Sequence, residues 1–370
     1  MTETNWIGDE QRLGALAQEL ADSDWIGIDT EFLRVRTFFP RLCLVQISAP
    51  RGLWLIDALA MRDLDLLVPV FGAARTRKIA HAARQDLEAL FLTTHQVPAP
   101  VFDTQIAAGC AGLKAQIGYA DLCDALLGVH VGKSQTRTDW SHRPLSQAQL
   151  DYAAQDVQHL QAIARILGER LDQLGRSAWV AEDCALLSDP ELYQSDMTQA
   201  WRRLKGLDQM RPKARGIARD LATWREQQAR ARNLPRSWVL SDAGLIGLSR
   251  QAPADEAAAR FAAPECANWR DPVLRSLLEV MARSLPAAEP AVSIEEIRPT
   301  PVQKDLIQRL ARMVDERARA LGISPEILAT RGELRALVMH ETKRSSPQMP
   351  CLRGWRREQI GNDLLAMLGG

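Results

Sequence analysis

Asp29 and Glu31, Asp86, and Asp156 with Tyr152 four residues before it are the residues of this 370-residue chain whose types and spacing can do chemistry. Hydrolysing a phosphodiester needs a hydroxide near neutral pH and a counter-charge for both the attacking and the leaving oxygen. Two divalent cations about 3.5–4 Å apart meet both needs. Hard cations take carboxylate and water oxygens, so three aspartates and a glutamate without matching His or Cys ligands point to Mg²⁺ or Mn²⁺ in preference to Zn²⁺. A tyrosine one helical turn from such a ligand adds a phenol that can hold or deprotonate the attacking water.

Particular elements must carry these side chains. Asp24 to Phe32 reads as a strand with Trp25, Ile26 and Ile28 buried, and period-two alternation throws Asp29 and Glu31 onto one face. Two anions there repel each other unless a cation sits between them. Asp86 ends His81-Ala82-Ala83-Arg84-Gln85-Asp86 and opens a helical run to Leu92, a strand-to-helix junction of the kind that often carries function. Asp151 to Leu160 is helical by pattern, and i,i+4 spacing puts Tyr152 and Asp156 on one face. Each piece alone has an ordinary reading: a turn or N-cap at Asp29, a helix cap at Asp86, a half-buried tyrosine beside a surface acid. Their joint occurrence in this order favours the metal site. Further strands over Leu42 to Ser48 and Leu53 to Ile56 and near Lys78 and Val101, with helical patterns between, predict a mixed sheet covered by helices.

The motifs resemble ribonuclease D, of the DEDD exonuclease superfamily in its tyrosine-bearing subclass. Asp29-Thr30-Glu31-Phe32, Asp86 in its junction and Tyr152-Ala153-Ala154-Gln155-Asp156 match the three exonuclease motifs. Leu42 to Ile47, Asp103-Thr104-Gln105 and Thr138 to Leu145 match the connecting segments. The resemblance covers roughly the first 190 residues. It implies an α/β ribonuclease H-like domain and a 3′→5′ exonuclease using two Mg²⁺ or Mn²⁺ ions, with Asp29 bridging them, Glu31, Asp86 and Asp156 completing the ligand set, and Tyr152 positioning the water. Gln85, where related chains often carry an acid, is a departure outside the catalytic positions.

Formal charge is zero overall but uneven: residues 1–190 carry 17 Lys and Arg against 24 Asp and Glu, and the remainder 29 against 22. The basic excess gathers between Trp201 and Arg236, with 11 bases and three acids. Read beside the nuclease motifs, it is a phosphate-contacting patch that guides nucleic acid towards an acidic site. Leu187-Ser188-Asp189-Pro190 breaks a long helical stretch and places the end of the exonuclease domain, 1–190. An all-helical pattern follows over 191–284. The string from Leu221 to Ser249 resembles the HRDC domain, a small helical nucleic-acid-binding module, which would make Trp224 and Leu234 core and the neighbouring arginines surface. A Pro/Ala-rich stretch from Leu285 to Val292 reads as a linker, and residues 293–370 read as a second, divergent HRDC-like domain. On this division the chemistry survives deletion of everything after Asp189.

Phe32, Phe38 and Phe39 lie near the first motif; Phe32 is the candidate to stack on a terminal base, and the other two read as core. Lys133 and Arg137 are candidates to touch the substrate backbone. Gly128 to Ser134 imitates a phosphate loop but has three residues between its glycines where four are required, and it follows a helical segment, so ATP binding is rejected. His81 and His142 read as support near the motifs. Six cysteines without a C-x-x-C pair read as core hydrophobes in a reducing compartment. No signal peptide and no apolar run of 18 residues is visible, which leaves the cytoplasm, without membrane attachment. The expected protein is a monomeric, metal-dependent exoribonuclease that trims structured RNA precursors such as tRNA and releases nucleoside 5′-monophosphates. A 3′ DNA exonuclease and a non-catalytic RNA-binding scaffold are the alternatives.

Overall fold

The computed structural model describes residues 4–369 apart from 133, 134, 137, 195, 264, 267, 268, 285–298 and 340–348. The expected linker from Leu285 to Val292, Lys133 and Arg137 therefore lie outside the described residues. In chain order the elements are β1 (Thr4–Ile7), α1 (Glu10–Leu20), β2 (Trp25–Leu33), β3 (Arg41–Ala49), β4 (Gly52–Asp57), α2 (Val68–Gly72), β5 (Arg77–Ala80), α3 (Arg84–Thr94), β6 (Val101–Asp103), α4 (Thr104–Cys110), α5 (Tyr119–Leu127), α6 (Gln147–Gln158), α7 (Leu160–Gln173) and α8 (Ser177–Leu187). After three 3₁₀ stretches come α9 (Pro212–Ala231), α10 (Arg236–Val239), α11 (Asp242–Gln251), α12 (Glu256–Ala262), α13 (Asp271–Ser284), α14 (Pro301–Leu321), α15 (Pro325–Leu328) and α16 (Arg331–Met339), followed by helical turns over 354–367.

Six strands form one mixed sheet in the order β1-β4-β3-β2-β5-β6. β3 runs antiparallel to both its neighbours, β2 and β4, whereas β1, β5 and β6 join in parallel. From Leu42 to Ala49 every residue of β3 is buried, as a central strand covered on both faces requires. One face packs Ile26, Ile28, Val45 and Ile47 against α1 and α3; the other packs Leu44, Leu53 and Leu55 against α6 and α7 through Ala153, Val157 and Leu160. Opposite β2 the register slips between Glu31 and Phe32, so that Cys43 bulges out of β3. Bulges beside active sites commonly re-aim a strand end.

By contacts the chain divides into two compact units, one of Met1–Leu33, Pro40–Tyr193 and Pro301–Gly370, the other of Arg34–Phe39 and Gln194–Thr300. This differs from the expected division, in which residues 293–370 stand apart. The reason is a shared core. Leu310, Val314 and Ala318, a stripe at helical spacing on α14, are buried in one cluster with Ala107, Ala108 and Ala111 around α4 and with Leu167, Leu171 and Cys184 of α7 and α8. Small residues let the backbones approach: a Cβ on Gly109 would meet Ile327 Cδ1 at 3.0 Å, and Gly112, at φ +88°, would place one 2.7 Å from the Gly322 carbonyl oxygen. Arg176 donates to the carbonyls of Cys110 (2.8 Å) and Leu321 (2.5 Å). Asp183 of α8 receives a two-pronged contact from Arg356, and Trp355 stacks flat on Trp179 at 4.2 Å. The deletion expected to leave a working nuclease therefore cuts through this core.

The second unit gathers α9 to α13 around Ile217, Leu221, Trp224, Leu245 and Leu274. Trp224 is 3 % exposed and Leu234 packs against the same core. Arg225, expected at the surface, is buried, and its desolvation is offset by a bond to the Leu240 carbonyl at 2.9 Å and an ion pair with Asp242 at 2.7 Å. Arg34–Phe39 belongs to this unit because Asn233, in the left-handed region at φ +46°, accepts from both Phe38 N–H (3.1 Å) and Phe39 N–H (3.0 Å) through Oδ1. Phe38 is buried and Phe39 partly so.

Candidate active site

Alternation along β2 brings Asp29 and Glu31 to the face covered by α6, and helical spacing on α6 directs Asp156 back at them. Carboxylate oxygens of Asp29, Glu31 and Asp156 all lie within 4.8 Å of one another, the one such group of three or more potential ligands among the described residues. Asp86 reaches the cluster from the first turn of α3. Thr30 holds it, donating its hydroxyl to Asp86 Oδ1 at 2.6 Å.

Electrostatics ties the four acids together. Asp29 is raised well above the ordinary carboxylate range by burial and then by the charges of Asp86, Asp156 and Glu31. Burial, with Asp156 and Asp86, lifts Glu31 to about 9. Asp86 rises to about 7 through burial, restrained by the Thr30 hydroxyl, and Asp156 to about 7 through burial, restrained by the Tyr152 hydroxyl. No lysine or arginine among the described residues figures among these influences. Four hard oxygen donors that resist ionising together fit divalent cations, which would remove the repulsion.

Tyr152 is half-buried, within 3.4 Å of the Thr136 hydroxyl and tilted against Trp140 at 6.1 Å. Burial and the neighbouring Asp156 push its phenol above its ordinary value. It stays protonated near neutral pH, which suits a hydrogen-bond partner better than a base.

The supports come from far along the chain. Asp103, the N-cap of α4, accepts the backbone N–H groups of Ala82 (3.1 Å) and Ala83 (2.8 Å) as well as those of Gln105 and Ile106. It thereby fixes the turn that launches α3, in which Ala82 sits at φ +53°. Arg143 pairs with both oxygens of Asp57 (2.8 and 2.6 Å) and donates to the Cys43 carbonyl at the bulge (2.9 Å). That anchors the loop leading into α6, which a Ser146/Gln149 capping box then starts. His81 has both ring nitrogens engaged, with Thr104 Oγ1 at 2.9 Å and the Ile117 carbonyl at 3.0 Å, so it braces the turn and is not aimed at the acids. His142 is exposed. Thr30, Asp103 and Arg143 escaped the sequence reading as supports because their partners are 56, 20 and 86 positions away. Gln46, opposite Asp29 in the β2–β3 register, is fully buried with neither end of its amide paired; no signal in the sequence marked it.

Phe32 is not brought to the acids. One residue beyond Glu31, it turns to the opposite face and packs against the cluster containing Ile28 and Leu42. The imitation phosphate loop begins at Gly128, which caps α5 at φ +66°, so it follows a helix. All six cysteines are free and buried. No described helix is long and apolar enough to cross a membrane.

Residues 4–172 match a family described as 3′-5′ exonuclease, and residues 214–260 match the HRDC domain. The chain is 36 % identical to the ribonuclease D of Granulibacter bethesdensis, covering 98 % of this chain and 92 % of that protein. It is 37 % identical to the ribonuclease D of Acidiphilium cryptum, covering 97 % and 92 %. Among solved structures, Escherichia coli RNase D, described as an exoribonuclease involved in structured RNA processing, superposes with a TM-score of 0.87 at 26 % identity over 99 % of both chains.

Proposed function

From the premise that the chain belongs to the ribonuclease D family, we infer how its residues carry out that family's chemistry and on which RNA. The protein is a 3′-5′ exoribonuclease that processes the 3′ ends of structured RNA. Our reading adds that it is a monomeric cytoplasmic enzyme that trims tRNA precursors and releases nucleoside 5′-monophosphates. One observation carries the metal-dependent hydrolysis: three carboxylates closing to within 4.8 Å, with Asp86 felt by all three.

Asp29, Glu31, Asp86 and Asp156 are the residues that would hold two divalent ions, Mg²⁺ or Mn²⁺. When bound, such ions supply a hydroxide near neutral pH and stabilise charge on the attacking and leaving oxygens. Glu31 and its partners must lose protons to act as ligands, so the acids couple metal affinity to pH. Thr30 fixes which Asp86 oxygen is free by occupying the other. Tyr152, held protonated beside Asp156, orients the attacking water through its hydroxyl. The basic stretch from Trp201 to Arg236 contacts RNA phosphates. Residues 301–370 act as a divergent second copy of the HRDC-like helices. Helices of 21, 4 and 9 residues, α14 to α16, parallel the 20, 4 and 10 of α9 to α11, which supports that reading.

The experiment is product analysis on matched 3′- and 5′-labelled RNA and DNA with Mg²⁺, Mn²⁺ or EDTA, for wild type and Asp29→Asn. Stepwise release of 5′-mononucleotides from RNA, lost with EDTA and with the substitution, is expected. Equal trimming of DNA would select the deoxyribonuclease alternative, and no metal-dependent product from either polymer would leave an RNA-binding scaffold.

A further inference from the structure

α6 and α7 follow each other with a single residue between them, His159, whose backbone sits at φ −104° and ψ −1°. In one continuous helix the His159 N–H would donate to the Gln155 carbonyl, four residues back. Here the hydroxyl of Tyr119, at the start of α5, stands between the two: it accepts the His159 N–H at 3.2 Å and donates to the Gln155 carbonyl at 3.0 Å. A side chain inserted into the hydrogen-bond ladder breaks or bends a helix at that point. Asp156 lies directly after the intercepted carbonyl and three residues before the intercepted N–H, so the insertion falls within the turn that carries this acid.

The inserted side chain is itself held. Just before it, the Ile117 carbonyl is engaged by His81 at 3.0 Å and by the Gln105 amide at 2.9 Å. The Tyr119 ring meets the His81 ring edge-on at 5.6 Å. His81 stands in the turn that launches α3 and, with it, Asp86. Burial pushes the Tyr119 phenol above its ordinary value, so it keeps the proton that it donates to Gln155. One side chain thus touches the supports of both helix-borne acids, that of Asp156 through its hydroxyl and that of Asp86 through its ring.

We propose that Tyr119 is a positioning residue for the metal ligands: its hydroxyl sets the break that aims Asp156 at Asp29 and Glu31, while its ring holds that break against the turn of Asp86. The proposal rests on the reading of the four acids as ligands of divalent ions. Its test measures Mn²⁺ binding by titration calorimetry for full-length wild type, Tyr119→Phe and Tyr193→Phe, with kcat and KM on RNA in Mg²⁺. Tyr119→Phe keeps the ring and lets the His159 N–H return to the Gln155 carbonyl, so no buried backbone group is orphaned and the melting temperature in EDTA should stay near that of wild type. Its Mn²⁺ affinity and kcat should each fall about 10-fold with KM unchanged, the lower end for groups that orient a metal ligand from behind. Tyr193 is the matched control, a buried phenol that also donates to a backbone carbonyl, that of Leu187 on α8 (2.6 Å), and Tyr193→Phe should bind Mn²⁺ as wild type does. Wild-type Mn²⁺ affinity in Tyr119→Phe overturns the proposal alone, and so does an equal loss in Tyr193→Phe. A measurement that needs no variant is hydrogen exchange of the wild-type segment carrying His159, which Mg²⁺ should slow because seating Asp156 on an ion locks the break; exchange unaltered by Mg²⁺ overturns the proposal too. Absence of Mn²⁺ binding by wild type overturns the metal reading beneath it.

Discussion

Glu31, lifted to about 9, keeps its proton at neutral pH until a cation replaces it. Carboxyls with raised values contribute stability that is fully present below their ordinary range near pH 4 and is lost as pH rises through the folded values, here about 7 for Asp86 and Asp156 and about 9 for Glu31. In EDTA the melting temperature should therefore fall between about pH 5 and pH 9, and excess Mg²⁺ should remove most of that fall; a flat profile in EDTA would mean the acids do not repel one another. Asp29→Asn should lower turnover by at least about 100-fold while raising the melting temperature in EDTA, because it deletes a ligand and a repelling charge together. Tyr152→Phe should lower kcat by roughly 10-fold or more with KM nearly unchanged, since the ring against Trp140 remains and only the hydroxyl goes. A matched rise in KM would make Tyr152 a packing residue instead. All five residues were legible in the sequence because strand and helix periods govern where they point. Phe32 fell to the same alternation: the period that gathers Asp29 and Glu31 sends their neighbour to the other face.

At the scale of elements, Asp103 decides where α3 begins. Its carboxylate accepts the N–H groups of Ala82 and Ala83, the two residues that lead into a helix whose own N-cap side chain makes no bond. Asp103→Ala should cost about 1–3 kcal/mol of stability through orphaned buried N–H groups. It should also reduce kcat by displacing Asp86, with Asp103→Asn intermediate; thermal melts and steady-state rates on one preparation check both. Full activity in the alanine variant would show that Thr30 alone positions Asp86. The central strands were readable from their apolar runs. β1 was not, because Thr4–Ile7 is short and takes its place only by pairing with β4, some 50 positions away. Nor was the break at His159 that divides α6 from α7, for no glycine or proline marks it.

Over the whole molecule, the hidden feature was which helices share a core. Amphipathic stripes announce that a helix has a buried face, but not what covers it. Of the 28 buried residues in the cluster around α4, α7 and α8, 16 lie beyond residue 300. Truncation after Asp189 should therefore yield an aggregating or unfolded product, visible as lost near-ultraviolet circular dichroism, whereas a soluble, active fragment would show that the remaining 12 suffice. The arrangement also sets an order in time. A ribosome adds about 5–20 residues per second, and α14 follows residue 193 by more than 100 positions. For several seconds of synthesis the acids and most of the sheet exist while Ala107, Ala108 and Leu171 still face water. During that interval the nascent chain presents an uncovered apolar surface to whatever chaperones attend it, and the nuclease closes its core only when its most distant segment arrives.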